Sequence, residues 1–315
     1  MDKIKLGISS CLLGNKVRYD GGHKLDHFLA DTLGQYVDWV PVCPEVECGL
    51  PVPREAMHLV GDPREPRLIT IRSGTDQTAR MQRWAKDRTR ELEQESLCGF
   101  VFKARSPSSG MRGVKIYNED GIAYTSGSGI FAHALMKHFP LLPVEDEGRL
   151  HDPALRENFI ERVFVYRRWE EYIRKDGALG GLVAFHTEHK YLVMAHSQKH
   201  YGLLGKMVAR AKKMRRSELH VDYLGTLMEG LQLLATPKKN TNVLQHMAGY
   251  FKEQLSSDEK QELQEIITNY HKRLVPLIVP VTLLRHFVRK YSEEYLGRQI
   301  YLNPHPLELM LRNHV

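Results

Sequence analysis

Lys3–Asn15 reads K-I-K-L-G-I-S-S-C-L-L-G-N. Ile4 to Ser9 has the short, mostly apolar character of a buried strand, and it runs without a linker into Ser10, Cys11 and a Gly14-Asn15 turn. Cys11 therefore sits just past a strand end. The same arrangement recurs downstream. A second strand, Val37 to Val42, ends at Cys43, and a third, Leu68 to Ile71, precedes a helix from about Asp76 to Ser96 with Met81, Trp84 and Leu92 on its apolar side. Gly99 to Lys103 reads as a fourth strand emptying into Ser106-Pro107-Ser108-Ser109-Gly110. Strands alternating with helices predict an α/β domain, a small Rossmann-like parallel sheet with helices on its faces. Ligands gather at the carboxyl ends of such strands, so Cys11, Cys43 and Ser106 are expected to converge.

The residues after the second strand carry the densest chemistry: V-C-P-E-V-E-C-G-L-P-V-P-R, Val42–Arg54. Pro44, Pro51 and Pro53 are expected to exclude a regular helix and bias Cys43, Leu50 and Val52 towards extended backbone. Two readings satisfy this loop. One is a metal centre, with Cys43 and Cys48 as soft ligands and Glu45 moving protons beside them; the other is a proline-rich turn with two structural thiols. Further on, Gly127-Ser128-Gly129 opens an apolar helix, Ile130 to His138, whose amides either hold an anion or simply start a closely packed helix.

At 315 residues, 42% hydrophobic and 26% charged, the chain has the composition of a globular protein long enough for two domains. No apolar run reaches bilayer length and no signal-peptide pattern precedes the first strand, which predicts a cytoplasmic protein. In that compartment the four cysteines, Cys11, Cys43, Cys48 and Cys98, are expected as ligands, catalytic groups or buried thiols rather than disulfides. The net charge of +7 is uneven: residues 1–150 carry 20 basic and 20 acidic side chains, residues 151–315 carry 25 and 18. A neutral chemical domain joined to one that meets a polyanion fits that asymmetry.

Four segments in the first half, S-S-C-L-L-G-N-K-V-R-Y-D-G-G at Ser9–Gly22, C-P-E-V at Cys43–Val46, G-L-P-V-P-R at Gly49–Arg54 and S-P-S-S-G at Ser106–Gly110, together resemble the thiouracil desulfidase family. The resemblance implies a 4Fe-4S cluster held by three cysteines, with one iron open to the sulfur of a thiolated base. Carried onto this chain, it implies Cys11 and Cys43 as ligands, Glu45 as acid/base and Ser106 as catalytic serine. The chemistry it implies is hydrolytic and without net electron transfer: water attacks the thiocarbonyl carbon, Glu45 takes the proton, and Ser106 passes a proton or orients the pyrimidine. One position departs. Where the family has Ser-Pro-Ser-Cys-Gly this chain has Ser109. Cys48, in the same stiff loop, is then expected to supply the third thiolate, with oxygen ligation by Ser109, loss of the cluster, or zinc in its place as the other routes. Cys98 is expected as a buried small hydrophobe.

Leu142 to Leu150 has the proline, glycine and charge of an exposed connection, which sets a boundary near Gly148 and predicts domains 1–148 and 149–315, the second all α. Asp152-Pro153 reads as a cap and first helical position, with breaks at Gly177 to Gly181, Pro237 and Pro304 to Pro306. Between Lys199 and Arg216 stand seven basic residues and no acid: Lys199, Lys206, Arg210, Lys212, Lys213, Arg215 and Arg216. In a continuous helix Lys199, Lys206, Arg210 and Lys213 share one stripe, and Leu203, Met207, Ala211 and Met214 another. Phosphate contact is the reading this supports, since solvated faces normally mix signs. His186, His189, His196 and His200 fall to a common side of the same continuous helix, as buried or RNA-facing groups rather than metal ligands. Phe185–Ser197, F-H-T-E-H-K-Y-L-V-M-A-H-S, and Tyr301–Leu309, Y-L-N-P-H-P-L-E-L, resemble the helical domain fused to this desulfidase domain in bacteria. The fused form implies a tRNA 4-thiouridine desulfidase with an RNA-binding helical module; a free thiobase substrate, or an RNA-binding protein without a cluster, are the alternatives.

Overall fold

Strand β1 (Ile4–Ser9) is the inner strand on which the first unit is built. It pairs in parallel with β2 (Val37–Val42), Ile4 opposite Val37 through Ser9 opposite Val42, and on its other edge with β5 (Phe100–Phe102). Strand β8 (Val144–Asp146) adds to β5, again in parallel, giving the order β2-β1-β5-β8. Parallel strands are covered on both faces, which is why β1 reads as a nearly unbroken apolar run. Leu6 and Ile8 are fully buried. Gly7 is required by close approach: a Cβ there would lie 2.1 Å from the Phe100 ring. Helix α2 (Thr78–Glu93) buries Met81, Ala85, Thr89 and Leu92, a stripe at helical spacing.

The computed structural model describes residues 3–118 and 120–314, and they form two units, Met1–Asp152 and Pro153–Val315. The division falls a few residues beyond Gly148, where α4 begins at Pro153. The first unit contains a second sheet that the sequence does not announce. Its order is β4-β3-β6-β7, from β3 (Met57–Val60), β4 (Arg67–Thr70), β6 (Val114–Tyr117) and β7 (Ala123–Gly127). Leu68 to Ile71, expected beside β1, thus belongs mostly to β4, antiparallel to β3. An antiparallel pair needs only a short connection, and residues 61–66 provide one, whereas a parallel return needs a crossover. A second correction concerns Val42–Arg54. Pro44–Glu47 forms a one-turn helix, α1, with Pro44 at its first position, where proline's missing amide costs nothing.

Among its described residues the second unit has helices and no strand: α4 (Pro153–Lys175), α5 (Leu179–His196), α6 (Gln198–Arg210), α7 (Arg216–Gln232), α8 (Pro237–Ala248), α9 (Ser257–His271), α10 (Ile278–Lys290) and the short α11 (Glu294–Gly297). Trp169 of α4 stacks on Tyr223 of α7 at 5.4 Å and meets Phe185 of α5 edge-on. Thr236 and Ser256 cap α8 and α9, the latter in a capping box with Glu259. No helix among the described residues is long and apolar enough to cross a membrane.

Candidate active site

The carboxyl ends of β2, β1 and β5, neighbours in one sheet, open into a cavity of about 420 Å³, within the ~300–1,000 Å³ typical of small-molecule sites. The chain leaves β1 on one side for β2 and returns on the other for β5, so the loops diverge and leave a crevice. Cys11 reaches the cavity from the turn after β1, Cys43 and Glu45 from the turn after β2, and Ser106 and Ser109 from the loop after β5. Glu55 to Met57, leading into β3, close another wall.

Local structure fixes each of these groups. Glu47 Oε1 accepts the Cys43 amide at 2.7 Å, which caps α1 and sets the Cys43 backbone. Glu45, in the first turn, accepts a 2.6 Å hydrogen bond from Ser108 Oγ at Oε1. Its Oε2 lies 3.7 Å from Cys43 Sγ and 3.8 Å from the Arg54 guanidinium. Ser106 Oγ is 3.0 Å from Ser108 Oγ and accepts the Ser109 amide at 3.2 Å. The amides of Gly129, Ile130 and Phe131 donate to the carbonyls of Gly110, Pro107 and Ser108. These bonds settle the two readings of Gly127-Ser128-Gly129: the start of α3 (Ile130–His138) clamps the serine loop and has no amides turned to an anion. Gly129 permits the clamp, since a Cβ there would lie 2.5 Å from the Ser108 carbonyl.

Burial pushes the Cys11 thiol up to about 11. Burial, with the Glu45 carboxylate next in weight, pushes Cys43 up to about 12. The cavity wall carries Arg18, Lys24, Arg54, Lys103 and Arg105 against Glu45 and Glu55, a positive excess suited to an anionic group or a leaving sulfide. Lys103 is partly spent on Glu147. Because each thiolate is scarce until the pH nears its raised pKa, alkylation of Cys11 and Cys43 by iodoacetamide in the metal-free protein is expected to rise about tenfold per unit between pH 8 and pH 10. Peptide mass mapping checks this; rapid labelling already saturated at pH 8 would contradict the buried thiols.

The sequence-predicted residues do not all arrive. Cys48 does not line the cavity. It ends α1, five residues and so about 140° round the turn from Cys43. Its Sγ donates to the Glu45 carbonyl at 3.3 Å, and the side chain packs against the apolar cluster of Leu59, Leu68, Met81, Val114, Ile116 and Ile130. Cys98 is 1% exposed, outside the cavity lining. Cys11 and Cys43 fit two corners of an iron–sulfur cluster, which takes thiolate donors. Another donor on the same wall is Ser109, 3% exposed, whose Oγ among the described residues has a hydrogen-bond contact at 3.5 Å, with Ser108. A single zinc ion matches less well, because among the described residues Cys11, Cys43 and Glu45 do not form a group whose ligand atoms all lie within 4.8 Å. Sequence reasoning missed Ser108 and Arg54 as Glu45's partners; the two-residue spacing from Ser106 and the basic end of the proline loop were their only signals.

In the second unit Lys199, Lys206, Arg210, Lys212, Lys213, Arg215 and Arg216 are all exposed. Among the described residues only Arg215 of the seven has an acidic partner, Glu218 at 2.6 Å. The helix is not continuous as expected: α5 ends at His196, Ser197 caps α6, and α6 ends at Arg210. Ala211 of the expected stripe is buried, but within α6 Leu204 is buried in place of Leu203, which is 38% exposed. The break also separates the histidines. His186 meets Tyr223, His189 the Phe185 carbonyl, His196 Glu161 and the Leu233 carbonyl, and His200 Ser197.

Residues 6–147 match the family model described as 2-thiouracil desulfurase, and residues 190–306 match one described as a protein of unknown function, DUF1722. The chain is similar to the uncharacterized protein YbgA of Escherichia coli (strain K12), 31% identical over 138 residues that cover 42% of this chain and 80% of YbgA. Among solved structures it is similar to the 4Fe-4S-dependent thiouracil desulfidase TudS, 33% identical, covering 48% of this chain and 95% of that one with a TM-score of 0.40.

Proposed function

The chain belongs to the family of YbgA and its residues 6–147 match the 2-thiouracil desulfurase model, and from that premise we propose that it hydrolyses the C–S bond of 4-thiouridine in cytoplasmic tRNA, giving uridine and hydrogen sulfide. The observation that carries the reading is the convergence of Cys11, Cys43, Glu45 and Ser106 on one cavity from three neighbouring parallel strands. Cys11 and Cys43 would hold a 4Fe-4S cluster, which when bound supplies an open, Lewis-acidic iron that draws electron density from a thiocarbonyl. Glu45 is the general base for the attacking water. Ser108 and Arg54 hold its two oxygens in place, so the carboxylate is oriented before substrate arrives. Ser106, hydrogen-bonded to Ser108, is placed to pass a proton to the pyrimidine or hold its ring. Atoms balance: water supplies the oxygen that replaces sulfur and the two hydrogens that leave with it.

The basic run on α6 and the start of α7, in which only Arg215 has an acidic partner among the described residues, supports RNA as the carrier of the base, and Lys206, Arg210 and Lys213 are its proposed phosphate contacts. The description of the matching family favours a second reading, free thiouracil as substrate. Anaerobically reconstituted protein incubated with thiolated tRNA and, separately, with free 2-thiouracil decides between them: loss of 4-thiouridine with matching uridine and sulfide supports the tRNA reading, and turnover of the free base alone overturns it. No turnover of either, with no iron retained, would leave an RNA-binding protein. Charge reversal at Lys206, Arg210 and Lys213 is expected to weaken tRNA binding and to flatten the log–log salt dependence by about one unit for each phosphate that is no longer neutralised, leaving any turnover of a free base unchanged.

A further inference from the structure

We infer that Ser109 is the third protein ligand of the cluster, binding iron through Oγ beside the Sγ atoms of Cys11 and Cys43. The inference rests on the cluster-dependent reading above. Three observations carry it. Ser109 lines the same cavity as the two thiols. Its hydroxyl is buried, yet its hydrogen-bond contact among the described residues is a 3.5 Å approach to Ser108 Oγ, at the outer limit of such a bond; buried hydroxyls normally have a good partner, and a missing one asks for a ligand. Its backbone is also locked. The Ser109 amide donates to Ser106 Oγ and the Gly110 amide to the Ser106 carbonyl at 2.8 Å, while a Cβ at Gly110 would lie 2.7 Å from that carbonyl oxygen. A donor held this way is positioned before iron arrives.

No thiol competes for the place. Cys48 is turned into the apolar cluster and Cys98 lies outside the cavity lining. On ligation the Ser109 O–H bond breaks, an iron–oxygen bond forms, and the proton leaves to solvent, as the two thiol protons do; no oxidation state changes. Oxygen is a harder donor than sulfur, so this corner holds iron less firmly than a thiolate would.

The test uses the full chain, reconstituted anaerobically, with iron and acid-labile sulfide per chain measured before and after challenge with an iron chelator, and Mössbauer spectra of the loaded protein. Ser109→Ala is expected to lose iron at least about tenfold faster than the unaltered chain, and Ser109→Cys about tenfold more slowly. Cys48→Ser should match the unaltered chain. The oxygen-bound iron should give a site that shifts towards the sulfur-ligated ones in Ser109→Cys, a readout that does not depend on how well Ser109→Ala folds. Unchanged retention in Ser109→Ala, a Mössbauer spectrum unaltered in Ser109→Cys, or iron lost in Cys48→Ser, overturns the assignment while leaving the cluster reading intact. Iron taken up by Ser109→Cys but not by the unaltered chain overturns oxygen ligation alone; iron taken up by neither removes the cluster reading with it.

Discussion

Glu45→Gln is expected to lower the rate of sulfide release by about 100- to 10,000-fold, the contribution of a positioned general base, while iron per chain stays at the unaltered value. The substitution keeps shape. A glutamine carbonyl still accepts the 2.6 Å bond from Ser108 Oγ, so the serine loop is undisturbed. What disappears is the basic oxygen that faces Arg54 and Cys43. Single-turnover sulfide release against measured iron separates the two effects. A rate within twofold of the unaltered enzyme would remove Glu45 from the chemistry; parallel loss of iron would recast it as a support for Cys43. Ser108→Ala is the companion: it frees Oε1 and keeps the carboxylate in the site, so a smaller loss, in kcat rather than KM, is expected.

How this site could be read in the sequence depended on element type. Ile4–Ser9 was legible to the residue because an inner parallel strand is mostly apolar and stops abruptly at a polar turn, and Val37–Val42, an edge strand exposed at Asp38 and Pro41, because its valines and Trp39 end at Cys43-Pro44. From their ends, the meeting of Cys11, Cys43 and Ser106 followed. The second sheet was not legible as a sheet: Leu68–Ile71 reads as a strand and is mostly β4, but its partner β3, four residues interrupted by His58, has too few apolar positions to declare a period. Nor was the direction of Cys48, because the prolines of Val42–Arg54 concealed the single helical turn that rotates it away from Cys43. The basic run was visible as charge, but its helix register was not, since a serine cap at Ser197 is a local event inside a long helical pattern. Partners from distant segments, such as Ser108 for Glu45, carry no local signal at all.

Arg312→Leu is expected to destabilise the helical unit by about 3–5 kcal/mol, the usual consequence of stripping one partner from a buried ion pair. Arg312 sits three residues from the last one in the sequence and nothing around it there marks it as structural, yet it joins α4 to the segment that follows α11. Its Nε donates to Glu157 at 3.1 Å, one terminal nitrogen to Glu161 at 2.8 Å and the other to the Tyr301 carbonyl at 2.6 Å. The ligand atoms of Glu157, Glu161 and His305 come within 4.8 Å of one another, the spacing of a metal site, but the guanidinium already donates to an oxygen of each carboxylate. Burial alone would raise the Glu161 pKa; the His196 hydrogen bond and the Arg312 charge outweigh it and hold the carboxyl below its ordinary value. A depressed carboxylate contributes stability above its unfolded pKa and loses it as pH falls through the folded one. The gap between the two proteins should therefore be widest at neutral pH and narrow as the pH falls below the ordinary carboxylate range. Arg312→Lys should fall between them, because an ammonium keeps the charge without the planar fork that reaches three acceptors at once. Urea titrations followed by helical circular dichroism at several pH values read all three; a gap that is small at pH 7, or that widens in acid, would mean that packing around Arg312, and not its charge, holds the two segments together.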